Sequence, residues 1–152
     1  HILENVNHAF KVENVTYDPL HGLDGYRMVD IHHVLNWAMK MSLNHAKICT
    51  LGQVQFIKED RKGLFSTFTF GCTVCNKKLV QTSEPLENPK VNKACVWGTL
   101  TSGSYYTQMN HLFSVMDIPT MSPKSFRMTE CNLGHIWRKN FIHIEHTLKR
   151  IC

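Results

Sequence analysis

The chain of 152 residues is 43 % hydrophobic and 19 % charged, enough apolar material for a core in one domain or two small subdomains. No apolar run approaches the length of a membrane-spanning helix, and the formal charge of +5 favours a polyanionic partner, nucleic acid first, over a membrane or a small-molecule substrate. The charge is uneven: residues 1–24 set Glu4, Glu13, Asp18 and Asp24 against Lys11, so the positive charge falls on the remainder.

Residues 1–24 lack periodicity and read as an extended leader with one short strand near Val15–Tyr17. Asp30 is placed to cap a helix to about Asn44, with Ile31, Val34, Leu35, Ala38 and Met41 on one face at spacings of three and four. Val54–Ile57 reads as a strand, Glu59–Gly63 as a charged turn, and Leu64–Phe70 as the strongest strand of the chain. Leu79–Thr82 makes a third strand. Pro85 and Pro89 mark a linker at Ser83–Lys90, which separates an α+β unit over 25–84 from a helical unit over 90–152. In the second unit Val91–Leu100 is one helix. Tyr105–Met116 is the next, with Tyr105, Met109, Leu112, Phe113 and Met116 inward. Ser122-Pro123 opens a last helix, serine as N-cap and proline preset for the first turn, with an interruption expected near Gly134.

The most informative stretch is Cys72-Thr73-Val74-Cys75, between two strand-like runs. Two thiolates on a tight turn face one metal ion and supply half of a tetrahedral zinc site. His45 and Cys49 just past the first helix complete a Cys3His set: His45, Cys49, Cys72 and Cys75. A catalytic redox pair is disfavoured by the β-like flanks, since that motif opens a helix. A disulfide is the other alternative, because six cysteines are an even number, but no secretory segment opens the sequence and a chain of this size folds without staples. Four protein ligands leave no open position, so zinc here is structural. His32, His33, Cys95, Cys131 and His135 stand as substitutes within this ligand set.

Helix, short turn and Ser-Pro-started helix resemble a helix-turn-helix, whose second helix meets DNA with its first residues. Those residues are Thr120, Ser122, Lys124, Ser125 and Arg127: cations for phosphate, arginine for guanine, hydroxyls for either. A packed αα-hairpin is the alternative reading. Lys77 and Lys78, with Lys58, Arg61 and Lys62, offer a second basic surface around the zinc meander. Trp137, Phe141, Ile144, Leu148 and Ile151 recur at heptad-like spacing, either an internal stripe or the seam of a homodimer or partner interface. Catalysis has little support: the twelve acids are scattered, and no GxSxG, HExxH or P-loop occurs.

Several segments together resemble the Mutator-like transposase domain. Gly25-Tyr26-Arg27-Met28-Val29-Asp30 is similar to its G-x-R-h-V-D opening. Arg61-Lys62-Gly63-Leu64 with Phe70-Gly71-Cys72-Thr73-Val74-Cys75-Asn76 is similar to R-x-G-L…F-x-C-x-x-C-N. Ala94–Thr99 resembles A-A-V-x-G-T, and Asp117–Ser122 resembles D/N-I-P-x-M-S, so the match runs in order over about residues 25–130. The resemblance implies the DNA-binding region that precedes a D-D-E catalytic domain, so no catalytic residue carries over. The expectation is a zinc-stabilised α+β DNA-binding module of a transposase or of a host protein derived from one, acting in the nucleus. A nuclear adaptor that keeps the fold for protein docking or dimerisation is the alternative.

Overall fold

In a computed structural model, which describes residues 18–151 with side-chain surroundings as far as Trp137, the chain forms four helices and a three-stranded antiparallel sheet. This is the α+β class expected. The expected strand at Val15–Tyr17 lies outside the described residues. Asp30 is extended and its carboxylate accepts from the His33 backbone N–H at 2.9 Å, so helix α1 begins at Ile31 and runs to Ala46. Its inward face is the expected one in part. Val34, Trp37, Ala38 and Met41 are half-buried, while Ile31 and Leu35 are exposed. The anchor that rotates it is Trp37, whose ring lies 5.4 Å from that of Phe70.

Strands β1 (Val54–Lys62), β2 (Phe65–Cys72) and β3 (Lys78–Thr82) follow in that spatial order. The charged run at Glu59–Lys62 is strand, not turn. A register shift between Phe56 and Lys58 brings Glu59 opposite Phe68. There Glu59 accepts from Arg27 Nε at 2.7 Å and from Ser66 Oγ at 2.6 Å, and these partners hold the run in the ladder. The reversal falls on Gly63, whose φ of 67° is left-handed backbone that glycine adopts without strain. Asn92 locks the turn from outside: its Nδ2 donates to Lys62 O at 2.7 Å and its Oδ1 accepts from Leu64 N at 2.8 Å.

After β3 the chain stays packed. Ser83 is fully buried, donates its N–H to Ser66 O and accepts from Asp30 N, each at 2.8 Å. The buried Glu84 carboxylate takes the N–H groups of Lys90 (2.8 Å) and Val91 (3.0 Å), which starts helix α2 (Val91–Thr101). Helix α3 (Tyr106–Val115) turns Tyr106, Met109 and Phe113 inward. Tyr105, Leu112 and Met116, expected inside, are exposed, because the Tyr106 hydroxyl donates to Met121 O and its ring meets Phe126 at 5.6 Å. Helix α4 (Pro123–Ile151) packs along α2. It passes Gly134 without the expected interruption, since the residues on both sides keep their helical ladder. The core joins Leu64 of the β-turn to Val96, Met109, Ile118, Met121 and Phe126.

Candidate metal centre

The last turn of α1 buries His45, and the chain then folds back so that Cys49 N donates to His45 O at 2.9 Å. Imidazole and thiol thereby face the same side. Across from them, Val54 pairs with Cys72 at the end of β2, and the following turn is closed by Cys72 N donating to Lys77 O, with Asn76 in left-handed backbone. Cys75 stands on that turn. One ligand atom from each of His45, Cys49, Cys72 and Cys75 lies within 4.8 Å of every other.

The spacing suits a four-coordinate ion. A tetrahedral ion about 2.3 Å from two sulfurs holds them about 3.8 Å apart, and a sulfur–nitrogen pair about 3.5 Å apart. Cys49 Sγ and Cys72 Sγ are 3.8 Å apart, and Cys75 Sγ and His45 Nε2 are 3.6 Å apart. The sulfurs are far outside bonding distance of one another, and Cys49, Cys72 and Cys75 are free thiols, which removes the disulfide alternative for this cluster. Of the substitutes, His33 Nε2 meets Thr82 Oγ1, Cys95 Sγ meets Met109 Sδ in the helical core, and His32, Cys131 and His135 are exposed elsewhere. None joins the cluster.

The electrostatics favour a thiolate at one position. The backbone N–H groups of Cys75 and Val74 point at Cys72 Sγ from 3.5 and 3.4 Å and bring its thiol down to about 6. The Lys77 N–H draws the Cys75 thiol down, but hydrogen bonding and charge from Cys72, together with burial, outweigh it, and the net shift is upward. One ready thiolate beside a reluctant one is the state a cation resolves, because a coordinated thiol is deprotonated. Gly52 was not singled out in the sequence. A methyl group there would lie 2.6 Å from Cys49 Sγ and closer still to Cys72 Sγ, so only glycine leaves room for the cluster. No local signal marks it.

The residues expected at nucleic acid divide between two places. Lys124, Ser125 and Arg127 are exposed on the first turns of α4, rooted by the buried Phe126. Ser122 caps that helix, its Oγ accepting from Ser125 N at 3.2 Å, and Thr120 sits half-buried beside it. Lys77 and Lys78 are exposed at the opposite end of the sheet, next to the Cys72 turn. Of the apolar stripe, Trp137 stacks on Trp97 with ring centres 4.8 Å apart, both rings partly exposed. Phe141, Ile144, Leu148 and Ile151 lie beyond the described side chains.

A helix-flanked three-stranded sheet with a four-ligand His/Cys cluster is the class of protein these observations define. The family model for Mutator-like transposase matches residues 25–142, and the chain belongs to that family. The match reaches past residue 130, well into α4, further than the motifs alone indicated. No curated protein and no solved structure matches the chain.

Proposed function

We propose that this chain is a zinc-stabilised DNA-binding module of a Mutator-like transposase, or of a host protein derived from one, acting in the nucleus. The family supports a transposase-related role, and the tetrahedral spacing of His45, Cys49, Cys72 and Cys75 supports structural zinc. Zinc, when bound, supplies a cross-link among α1, the loop after it and the β2–β3 turn; the chemistry of transposition belongs to residues outside this set. The observation that carries the DNA reading is the N-terminal turn of α4. Lys124 and Arg127 face solvent there while Phe126 fixes the helix in the core, the placement by which a helix-turn-helix meets DNA. Replacing Lys124 and Arg127 together with alanine should weaken duplex binding and lower the salt slope by about two units while zinc and helicity are retained. Unchanged affinity and slope would overturn this assignment.

The second reading, a docking or dimerisation module, draws on the exposed Trp97–Trp137 pair. Sedimentation decides it: a dimer that Trp137→Asp converts to a folded monomer would favour docking over DNA.

A further inference from the structure

The end of the sheet remote from the Cys72 turn holds a groove of about 870 Å³, which Thr120, Ser122 and Ser125 of the α4 reading share with Arg61 and Lys62 of the sheet. Its walls are the end of β1 with Arg61 and Lys62, the turn at Gly63, the connection before α4 with Thr120, and the α4 face with Ser122, Ser125 and Asn132. Resting on the DNA reading above, we propose that this groove seats the sugar-phosphate backbone of duplex DNA, so that the hairpin and α4 grip one duplex together.

Three observations carry it. First, the polar side chains of the lining are two cations, four hydroxyls and two amides, set among Pro119, Met121 and Met128, without a single acid. Arg61 and Lys62 are exposed and form no ion pair among the described residues, whereas Lys58 on the same strand is already paired with Asp60 at 2.6 Å. Cations beside hydroxyl groups, with no carboxylate in the lining, match a phosphodiester. Second, Thr120 is one of the lining residues, and its Oγ1 is turned away from solvent without a hydrogen-bond partner among the described residues. A buried hydroxyl without a partner is a cost, and rotating the Thr120 side chain toward a phosphate oxygen in the groove would relieve it. Third, the groove is continuous with the α4 surface. Met128 and Asn132 line both it and the neighbouring hollow formed by Lys124, Arg127 and Cys131. A strand seated in the groove therefore runs past the side chains that the α4 reading assigns to DNA.

The geometry also divides the basic residues. Arg61 and Lys62 end the nine-residue strand β1, while Lys77 and Lys78 lie at its other end, where Val54 pairs with Cys72. At about 3.3 Å per residue the two groups are roughly 25 Å apart. That is about twice the ~12 Å width of a major groove, so one groove crossing engages one end only. The proposal assigns DNA to the Arg61–Lys62 end.

The test is fluorescence anisotropy of the full chain with a labelled short duplex across a salt series, for wild type and three double variants. Arg61→Ala with Lys62→Ala should reduce the salt slope by about two units, as Lys124→Ala with Arg127→Ala does, while Lys77→Ala with Lys78→Ala leaves it unchanged. Thr120→Val removes the hydroxyl at nearly constant shape and should weaken binding with the slope intact. If the Lys124 and Arg127 pair lowers the slope but the Arg61 and Lys62 pair does not, the groove assignment falls and the DNA reading stands. If wild type binds no duplex, both fall. Inorganic phosphate titrated at matched ionic strength separates a free-anion site. Saturation by phosphate, followed by NMR at Thr120, with duplex affinity unaffected would overturn the proposal.

Discussion

Gly52→Ala is the sharpest probe of the candidate metal centre. The added carbon would sit 2.6 Å from Cys49 Sγ, nearer still to Cys72 Sγ, and 3.3 Å from Val74 Cβ. Non-bonded heavy atoms settle about 3.5–4.0 Å apart, so at least one sulfur must retreat by about 1 Å. Metal sites tolerate ligand displacements of about 0.2 Å, roughly a fifth of that. Both thiols are crowded at once, so rotating one away does not relieve the other. The expected loss is at least a hundredfold in zinc affinity, the upper end of what supporting residues cost, or about 2.7 kcal/mol. Competition with a chromophoric chelator measures it, and cobalt substituted for zinc shows through its visible spectrum whether the thiolate-rich tetrahedral site survives. Because metal binding is coupled to folding, the 45–82 region should also lose protection from proteolysis. A variant that binds zinc as tightly as wild type with an unchanged cobalt spectrum would refute the reasoning.

Two further outcomes follow from the packing. Glu59 is held below its ordinary value of about 4.5, first by its hydrogen bond with Arg27 and then by that with Ser66. Its contribution to stability is therefore present above that value and lost as pH falls through the depressed one. Glu59→Gln should cost about 2 kcal/mol at neutral pH and flatten the acid limb of a denaturation-versus-pH curve; an unchanged limb would place the titrating group elsewhere. Gly98→Ala, on the exposed side of α2 with no atom within 4 Å of the new carbon, should stabilise by about 0.5–1 kcal/mol in chemical denaturation, and destabilisation would mean that side of α2 is covered.

Elements whose causes are local in sequence were legible from it. Asp30 caps α1 three residues on, Ser122 caps α4 three residues on, and the Cys72–Cys75 turn carries its own geometry. The His/Cys cluster was legible because helix end and turn each bring two ligands. Where distant partners decide, the reading went astray. The run Glu59–Lys62 has turn composition, and it is a strand because Arg27 and Ser66 hold Glu59 and Asn92 holds the following turn. Likewise α3 keeps Met109 and Phe113 inward as its apolar pattern indicates, but Tyr106 takes the place of Tyr105 because it reaches Met121 and Phe126. Gly52 was invisible since its neighbours are sulfurs brought in from two other places in the chain.

The segment that opens the family match ties together three regions that are far apart in sequence. Tyr26 N donates to Asp117 O at 3.1 Å, Arg27 clamps Glu59, and Asp30 N donates to Ser83 O at 2.8 Å. On the ribosome this strap emerges before its partners, and the farthest follows roughly ninety residues later, about five to twenty seconds at ordinary synthesis rates. The four His/Cys ligands lie together between residues 45 and 75 and are all synthesised well before then. The nascent chain therefore has its metal ligands in hand while the strap still waits for Asp117. Vectorial synthesis sets the order of supply: every ligand of the cluster is available before the last partner of the strap exists.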